Sequence, residues 1–191
     1  MIFPPVLRAR MKTTSDVTKL MSQKFKLKVC IIGEHATGKT SLIKAFVEQK
    51  FSADYRPTIG TNIFIKTLEI GGDTITFTAW DIAGQERWTS MRPMYYKGAS
   101  GAFIVGDLTR RSTFEQIVKF WAPDLKKHAG ETVPIIVLAN KCDLPREVTE
   151  EEVEKCYNDI GAITAIKTSA KNGENVNEAF MMLAKAILGK E

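Results

Sequence analysis

Apolar and polar positions along this chain fall into blocks, and the blocks change period. Leu27-Lys-Val-Cys-Ile-Ile32 is a short apolar run that predicts a buried strand. Ser41-Leu-Ile-Lys-Ala-Phe-Val-Glu-Gln49 sets Leu42 and Phe46 on one face and predicts a helix. Residues 62–70 and 74–80 are strand-like, and Gly71-Gly72-Asp73 between them signals a hairpin. A loop opening at Asp81 leads to a helical stretch interrupted at Pro93. Gly101-Ala-Phe-Ile-Val-Gly106 and Val133-Pro-Ile-Ile-Val-Leu-Ala139 are continuous apolar runs, as expected of strands buried on both faces. Ser112-Thr-Phe-Glu115 and Thr149-Glu-Glu-Glu152 read as capping boxes that open helices, the first running toward Ala129. Residues 163–167 give a last strand, and Asn175 caps a last helix reaching about Leu188.

Apolar strands alternating with helices predict an α/β fold in three layers. The count is six strands and about five helices. The sheet is expected to be mostly parallel, with the hairpin adding one antiparallel strand at an edge. Ligands in such sheets bind at the carboxyl ends of the strands.

Composition narrows the function classes. At 191 residues, 44% hydrophobic and 26% charged, the chain fits one globular domain. No apolar run approaches the roughly 20 residues that span a bilayer. Cys30, Cys142 and Cys156 have no metal-like spacing and read as reduced thiols. The net charge of +5 is local. Residues 1–26 hold six basic residues against one acid, and the remainder holds 21 of each sign. A neutral body argues against a nucleic-acid face. The leader begins apolar (Met1-Ile-Phe-Pro-Pro-Val-Leu7) and then turns basic, the reverse of a secretory signal. Residues 1–23 are expected to form a flexible basic extension and 24–191 the folded domain.

Gly33-Glu-His-Ala-Thr-Gly38-Lys39-Thr40 matches G-x-x-x-x-G-K-[ST] between a predicted strand and a predicted helix. A strand feeding a glycine-rich loop into a helix N-terminus makes an anion cradle from backbone N–H groups. In that cradle Lys39 reaches the β- and γ-phosphates, and the Thr40 hydroxyl holds Mg²⁺. His35, Ala36, Thr37, Gly38 and Ser41 complete the candidate phosphate-binding segment.

Three further segments carry a resemblance. Trp80-Asp-Ile-Ala-Gly-Gln-Glu86, Asn140-Lys-Cys-Asp143 and Ser169-Ala-Lys171 are similar, in order and spacing, to the W-D-T-A-G-Q-E, N-K-x-D and S-A-K segments of Ras-superfamily small GTPases. The resemblance covers about residues 24–188. It implies a phosphate-loop NTPase G domain that binds GTP and GDP with Mg²⁺, hydrolyses GTP, and acts as a molecular switch. By this resemblance Asp143 accepts from the N1–H and exocyclic amine of guanine, a donor pair that adenine lacks. Asn140 contacts the base edge and ties loops together. Lys141 lies along the base, the Ala170 N–H reaches the guanine oxygen, and Ser169 and Lys171 complete that loop. Phe51 packs on the base, and Tyr55 covers the phosphates. Asp81 and Thr58 join Thr40 around Mg²⁺. The Gly84 N–H meets the γ-phosphate, and Gln85 orients the attacking water, with Lys39 as the second catalytic residue.

Trp80, Tyr95-Tyr-Lys-Gly-Ala99 and Tyr55-Arg-Pro-Thr-Ile-Gly60 place the resemblance closest to the Rab branch. Trp80 with Tyr95 or Tyr96 is the expected aromatic patch for effectors. Effectors, exchange factors and activating proteins are expected at residues 52–63 and 83–95. The protein is expected to be a monomer in the cytoplasm, with weak membrane contact through the basic leader.

Some residues depart from the pattern. His35 stands where most relatives have a small residue. It either faces solvent harmlessly or projects toward the γ-phosphate side, crowding Gln85 and slowing hydrolysis. The second outcome makes the protein a GTP-binding interaction module. Asn62 and Ile63 replace the Asp-Phe usual in Rab switch regions. The sequence ends at Gly189-Lys-Glu191 with no cysteine, so no prenyl anchor is expected in this chain. A phosphate-loop kinase would need a basic lid and an acceptor pocket, and neither is legible.

Overall fold

The structure is a computed structural model that describes residues 22–48, 60–83 and 90–190. Its centre is a six-stranded sheet of β1 (Lys24–Ile32), β2 (Thr61–Ile70), β3 (Asp73–Ile82), β4 (Gly101–Asp107), β5 (Ile135–Asn140) and β6 (Thr164–Thr168). The spatial order is β2-β3-β1-β4-β5-β6. Only the β2–β3 pair is antiparallel. It turns through Gly71 and Gly72, both at positive φ, as a two-residue hairpin favours. β4 and β5 are buried along their whole length, which is why they read as unbroken apolar runs.

Among the described residues five helices cover the sheet: α1 (Lys39–Glu48), α2 (Arg92–Tyr96), α3 (residues 111–129), α4 (Glu150–Asp159) and α5 (Val176–Leu188). α1 and α5 close one face around Leu42, Phe46, Phe180 and Leu183. The Phe46 and Phe180 rings stack at 3.6 Å, and Phe77 and Phe103 meet Phe180 edge-on. Such pairs add roughly 1 kcal/mol each beyond the burial of their area. α2, α3 and α4 close the other face around Tyr96, Phe114, Trp121 and Val153.

Several local expectations need correction. Pro93 does not interrupt a helix; it lies in the first turn of α2, where its missing N–H has no partner to lose. Ser112-Thr-Phe-Glu115 forms no capping box. The hydroxyl of Thr113 instead bonds the Arg110 carbonyl at 2.7 Å and accepts the Asp107 N–H at 2.9 Å. α3 also carries a π-helical segment, Ile117–Trp121, between Arg111–Gln116 and Ala122–Ala129. Asn175 occupies the position before α5 but does not cap it; its side chain donates to the Lys167 carbonyl at 2.8 Å. Thr149 and Glu152 do form the expected capping box on α4. All three cysteines are free, and burial pushes the Cys30 and Cys156 thiols up to about 12.

β1 lies between β3 and β4, so the chain reverses its direction of travel across the sheet at β1. A crevice opens at the carboxyl end of such a strand.

Candidate functional site

The crevice is lined from five strand ends. Gly33 follows β1, Asp81 is the last residue but one of β3, Asp107 ends β4, Asn140 ends β5, and Thr168 ends β6.

The phosphate-loop pattern is built as a tight arch from Gly33 into α1. Gly33 has φ +133°, and a Cβ there would sit 2.4 Å from the Val105 carbonyl oxygen. Gly38 has φ +97°, and a Cβ there would sit 2.4 Å from Asn140 Nδ2. Both positions need glycine for conformation and for space. Ala36 takes φ +59° without that freedom, at a cost of about 1 kcal/mol. Lys39 is buried, and its ammonium donates to the Gly33 and Glu34 carbonyls at 2.8 and 2.7 Å. The Thr37 hydroxyl closes the arch on the Glu34 carbonyl at 2.9 Å. Burial, opposed by Asp81 and Glu34, pushes Lys39 down to about 8. An anion in the arch would favour the charged form and raise it again.

Thr40 and Asp81 meet across this arch, Oγ1 to Oδ2 at 2.6 Å. A hydroxyl and a buried carboxylate beside a phosphate cradle are hard oxygen donors, the set that Mg²⁺ takes together with phosphate oxygens. The residues present fit the ion. No separate cluster of His, Cys, Asp or Glu suited to a metal exists among the described residues.

The base side is organised by Asn140, which is fully buried. Its Nδ2 donates to the Thr37 carbonyl at 2.8 Å, tying this loop to the phosphate arch. Its Oδ1 accepts from the Thr168 hydroxyl and the Ala170 N–H, both at 3.3 Å. The Ala170 N–H is therefore already engaged, through a long bond. The Ser169 hydroxyl donates to Asp143 Oδ1 at 2.6 Å and accepts from the Lys171 N–H at 3.2 Å. Asp143 itself is exposed, with Oδ1 fixed by Ser169. Lys171 is also exposed, and Ser41 lies half-buried in the first turn of α1.

Lys141 stands at φ +67° and extends to Asp107, with Nζ 2.6 Å from Oδ2. Asp107 and Arg110 are absent from the sequence reading. A charged residue closing an otherwise apolar strand was the available signal for Asp107.

Phe51, Tyr55, Thr58, Gly84 and Gln85 lie outside the described residues. Of the two tyrosines offered as partner for Trp80 in the aromatic patch, Tyr95 is the one that lies beside it. Trp80 and Tyr95 are half-buried with ring centroids 6.4 Å apart, but Tyr96 is fully buried in the core. Lys28 Nζ lies 4.1 Å above the Trp80 ring. Ile63, half exposed, is the cross-strand neighbour of Trp80.

Comparison with known proteins matches residues 28–189 to the model of the Ras family. The mouse Ras-related protein Rab-31 is 40% identical over 163 residues, covering 84% of this chain and 83% of that protein. Human Ras-related protein Rab-22A is 39% identical, with the same coverage of each chain. Ras-related protein Rab-8B of Pongo abelii is 40% identical over 165 residues, covering 85% of this chain and 79% of that protein.

Proposed function

This chain belongs to the Ras family, in its Rab branch, and from that premise we propose how the crevice at the carboxyl ends of its strands handles guanine nucleotide. The protein is a small GTPase that hydrolyses GTP to GDP and works as a nucleotide-dependent switch in vesicle traffic, not a module that only binds. It binds GTP and GDP and meets regulators and effectors, as the family does. The finer assignments are ours.

Asp143 reads guanine through two accepted hydrogen bonds, with Ser169 fixing the rotation of its carboxylate. A carboxylate placed for that donor pair rejects adenine, which would leave its acceptors facing a base edge without the matching N–H groups. Asn140 holds the base loop against the phosphate arch. Lys39 and the N–H groups from His35 to Ser41 take the β- and γ-phosphates. Thr40 and Asp81, with Thr58 from outside the described residues, hold Mg²⁺. When bound, Mg²⁺ neutralises charge developing between the β- and γ-phosphates. Gln85 orients the attacking water, and the Gly84 N–H meets the γ-phosphate. Loss of that phosphate releases residues 52–63 and 83–95, and effectors read the difference. Ile63, Trp80 and Tyr95 form the apolar surface that those partners meet. No helix among the described residues is long and apolar enough to cross a membrane. We place the protein in the cytoplasm, as a monomer, with peripheral membrane contact through the basic leader.

One observation carries this reading: the Lys39 ammonium sits inside an arch whose far side is bonded to the base loop through Asn140. Single-turnover hydrolysis of preloaded GTP, followed for hours, tests it. Slow conversion to GDP is expected; a faster His35→Gly variant would show that His35 crowds the γ-phosphate side. An equal rate in both removes the steric role of His35. ATP displacing bound GDP would overturn the guanine assignment.

A further inference from the structure

β4 is apolar until its last residue, and that residue is a fully buried carboxylate, Asp107. Burial works against its charge. Hydrogen bonds from Lys141, Thr109 and Arg110 overcome it and hold the carboxyl below the usual carboxylate range. Oδ1 takes the Thr109 hydroxyl at 2.7 Å and the Thr109 N–H at 3.0 Å. Oδ2 takes two cations, Lys141 Nζ at 2.6 Å and Arg110 Nε at 2.9 Å. A second cation is more than the carboxylate needs for neutrality. The other end of the guanidinium is used elsewhere: Arg110 Nη2 donates to the His35 carbonyl at 2.8 Å.

That carbonyl belongs to the phosphate arch. In a trans peptide the C=O of one residue and the N–H of the next point in opposite directions. A His35 carbonyl held outward by Arg110 therefore aims the Ala36 N–H the other way. Ala36 holds φ +59° without being glycine, so this peptide plane has reason to turn if released. The charge of Arg110 also reaches the cradle. It is one of the cations felt by Lys39, whose ammonium is disfavoured first by burial. Only a fork of donors can hold Asp107 and the His35 carbonyl at once, which a lysine cannot do.

We propose that Arg110 is a positioning residue for nucleotide retention: braced on Asp107, it fixes the His35–Ala36 peptide and ties the phosphate arch to the base-loop lysine, Lys141. The strut runs His35–Arg110–Asp107–Lys141 and lies apart from the Asn140–Thr37 link. It rests on the reading that this crevice holds guanine nucleotide.

The test is release of a fluorescent GDP analogue (mant-GDP) from the full chain into excess GDP, alongside melting of each variant. Arg110→Ala is expected to release about tenfold faster, the loss of one charge-assisted hydrogen bond. Arg110→Lys keeps a cation for Asp107 but not the fork, so its release falls between parent and Ala. Arg110→Ala combined with Asp107→Asn releases no faster than Asp107→Asn alone, because both break one strut. Should Asp107→Asn not fold, the two Arg110 variants decide. Unchanged release with a lowered melting temperature makes Arg110 merely structural and overturns the proposal. So do independent, multiplying effects in the double variant. A parent chain that takes up no mant-GDP overturns the nucleotide reading itself.

Discussion

Two buried polar clusters sit against this sheet and are completed in opposite ways. At the carboxyl ends of the strands, Thr37, Asp107, Asn140, Thr168 and Ser169 are all buried, and each side chain has a partner. Under α2, Arg92 is equally buried, 3.9 Å from Asp124 Oδ2, with its guanidinium over Phe120 and Trp121 at 4.9 and 4.5 Å. There Arg92 Nε and Nη1 and Trp121 Nε1 make no hydrogen bond. The π-helical turn of α3 supplies both rings beneath Arg92, and such turns gather at functional sites. A paired network is rigid. An incompletely paired one stores cost, and here it lies beneath α2, within residues 83–95, where the switch is expected to move. The same sheet thus supports a preorganised half and a half with little to lose by rearranging.

The largest test of this contrast is Asn140→Ala. It removes bonds to Thr37, Thr168 and Ala170 together and strands their partners. GDP affinity is expected to fall about a thousandfold, near 4 kcal/mol. Equilibrium binding checks this, and a loss below tenfold would show that the paired network does not hold the site.

Lys39 gives the next effect. Its native pKa of about 8 lies below the ordinary 10.5 because it is buried. Between those values the unfolded chain binds more protons than the folded one. Stability of the nucleotide-free protein therefore rises with pH from about 8 toward 10.5, by on the order of 3 kcal/mol. Urea midpoints across that window measure it. Lys39→Met is expected to abolish the rise, and bound GDP to suppress it by keeping the ammonium paired. A rise that survives in Lys39→Met belongs to other groups.

Arg92→Met probes the other cluster. Methionine keeps apolar contact with Phe120 and Trp121 and removes a buried charge. Asp124 retains His128, with Nδ1 3.5 Å from Oδ1. Replacing a whole buried ion pair by apolar residues is commonly neutral or stabilising, whereas removing one partner strands the other charge. Arg92→Met alone should therefore cost about 3 kcal/mol, and Arg92→Met with Asp124→Leu little or nothing. The denaturation midpoint of the double variant is expected to hold or rise. A double variant as destabilised as Arg92→Met would erase the difference between the clusters.

The two regions also differed in how far the sequence disclosed them. Residues 33–41 build one arch from consecutive positions, so a local pattern displays them. Asn140 to Asp143 and Ser169 to Lys171 are short segments of the same kind. The Asp107 strut is not local: Lys141 lies 34 positions away, and Arg110 reaches His35 across 75. Spacing cannot announce such contacts. Ser112 and Glu115 had the right types for a cap, yet the hydroxyl used is Thr113, because the end of β4 passes beside it. Tyr95 and Tyr96 are indistinguishable as a pair, but neighbouring helical positions face different ways, and only Tyr96 enters the core. A 3.6-residue period also cannot reveal the inserted residue of a π turn, so the stage for Arg92 stayed hidden.

The smallest prediction sets the outer limit of the paired region. Thr149 and Glu152 cap α4 reciprocally, Glu152 N to Oγ1 at 3.3 Å and Thr149 N to Oε2 at 2.9 Å. Glu152 also receives Arg111 Nε at 2.7 Å, one residue after the strut arginine. Thr149→Ala should cost about 1 kcal/mol of stability, as the loss of an N-cap does. Because this contact lies on the exposed side of α3, mant-GDP release should not change. If release quickens, the network that fixes the phosphate arch extends through Arg111 to α4. Partners touching α4 would then gain a lever on nucleotide exchange that needs no contact with the switch segments.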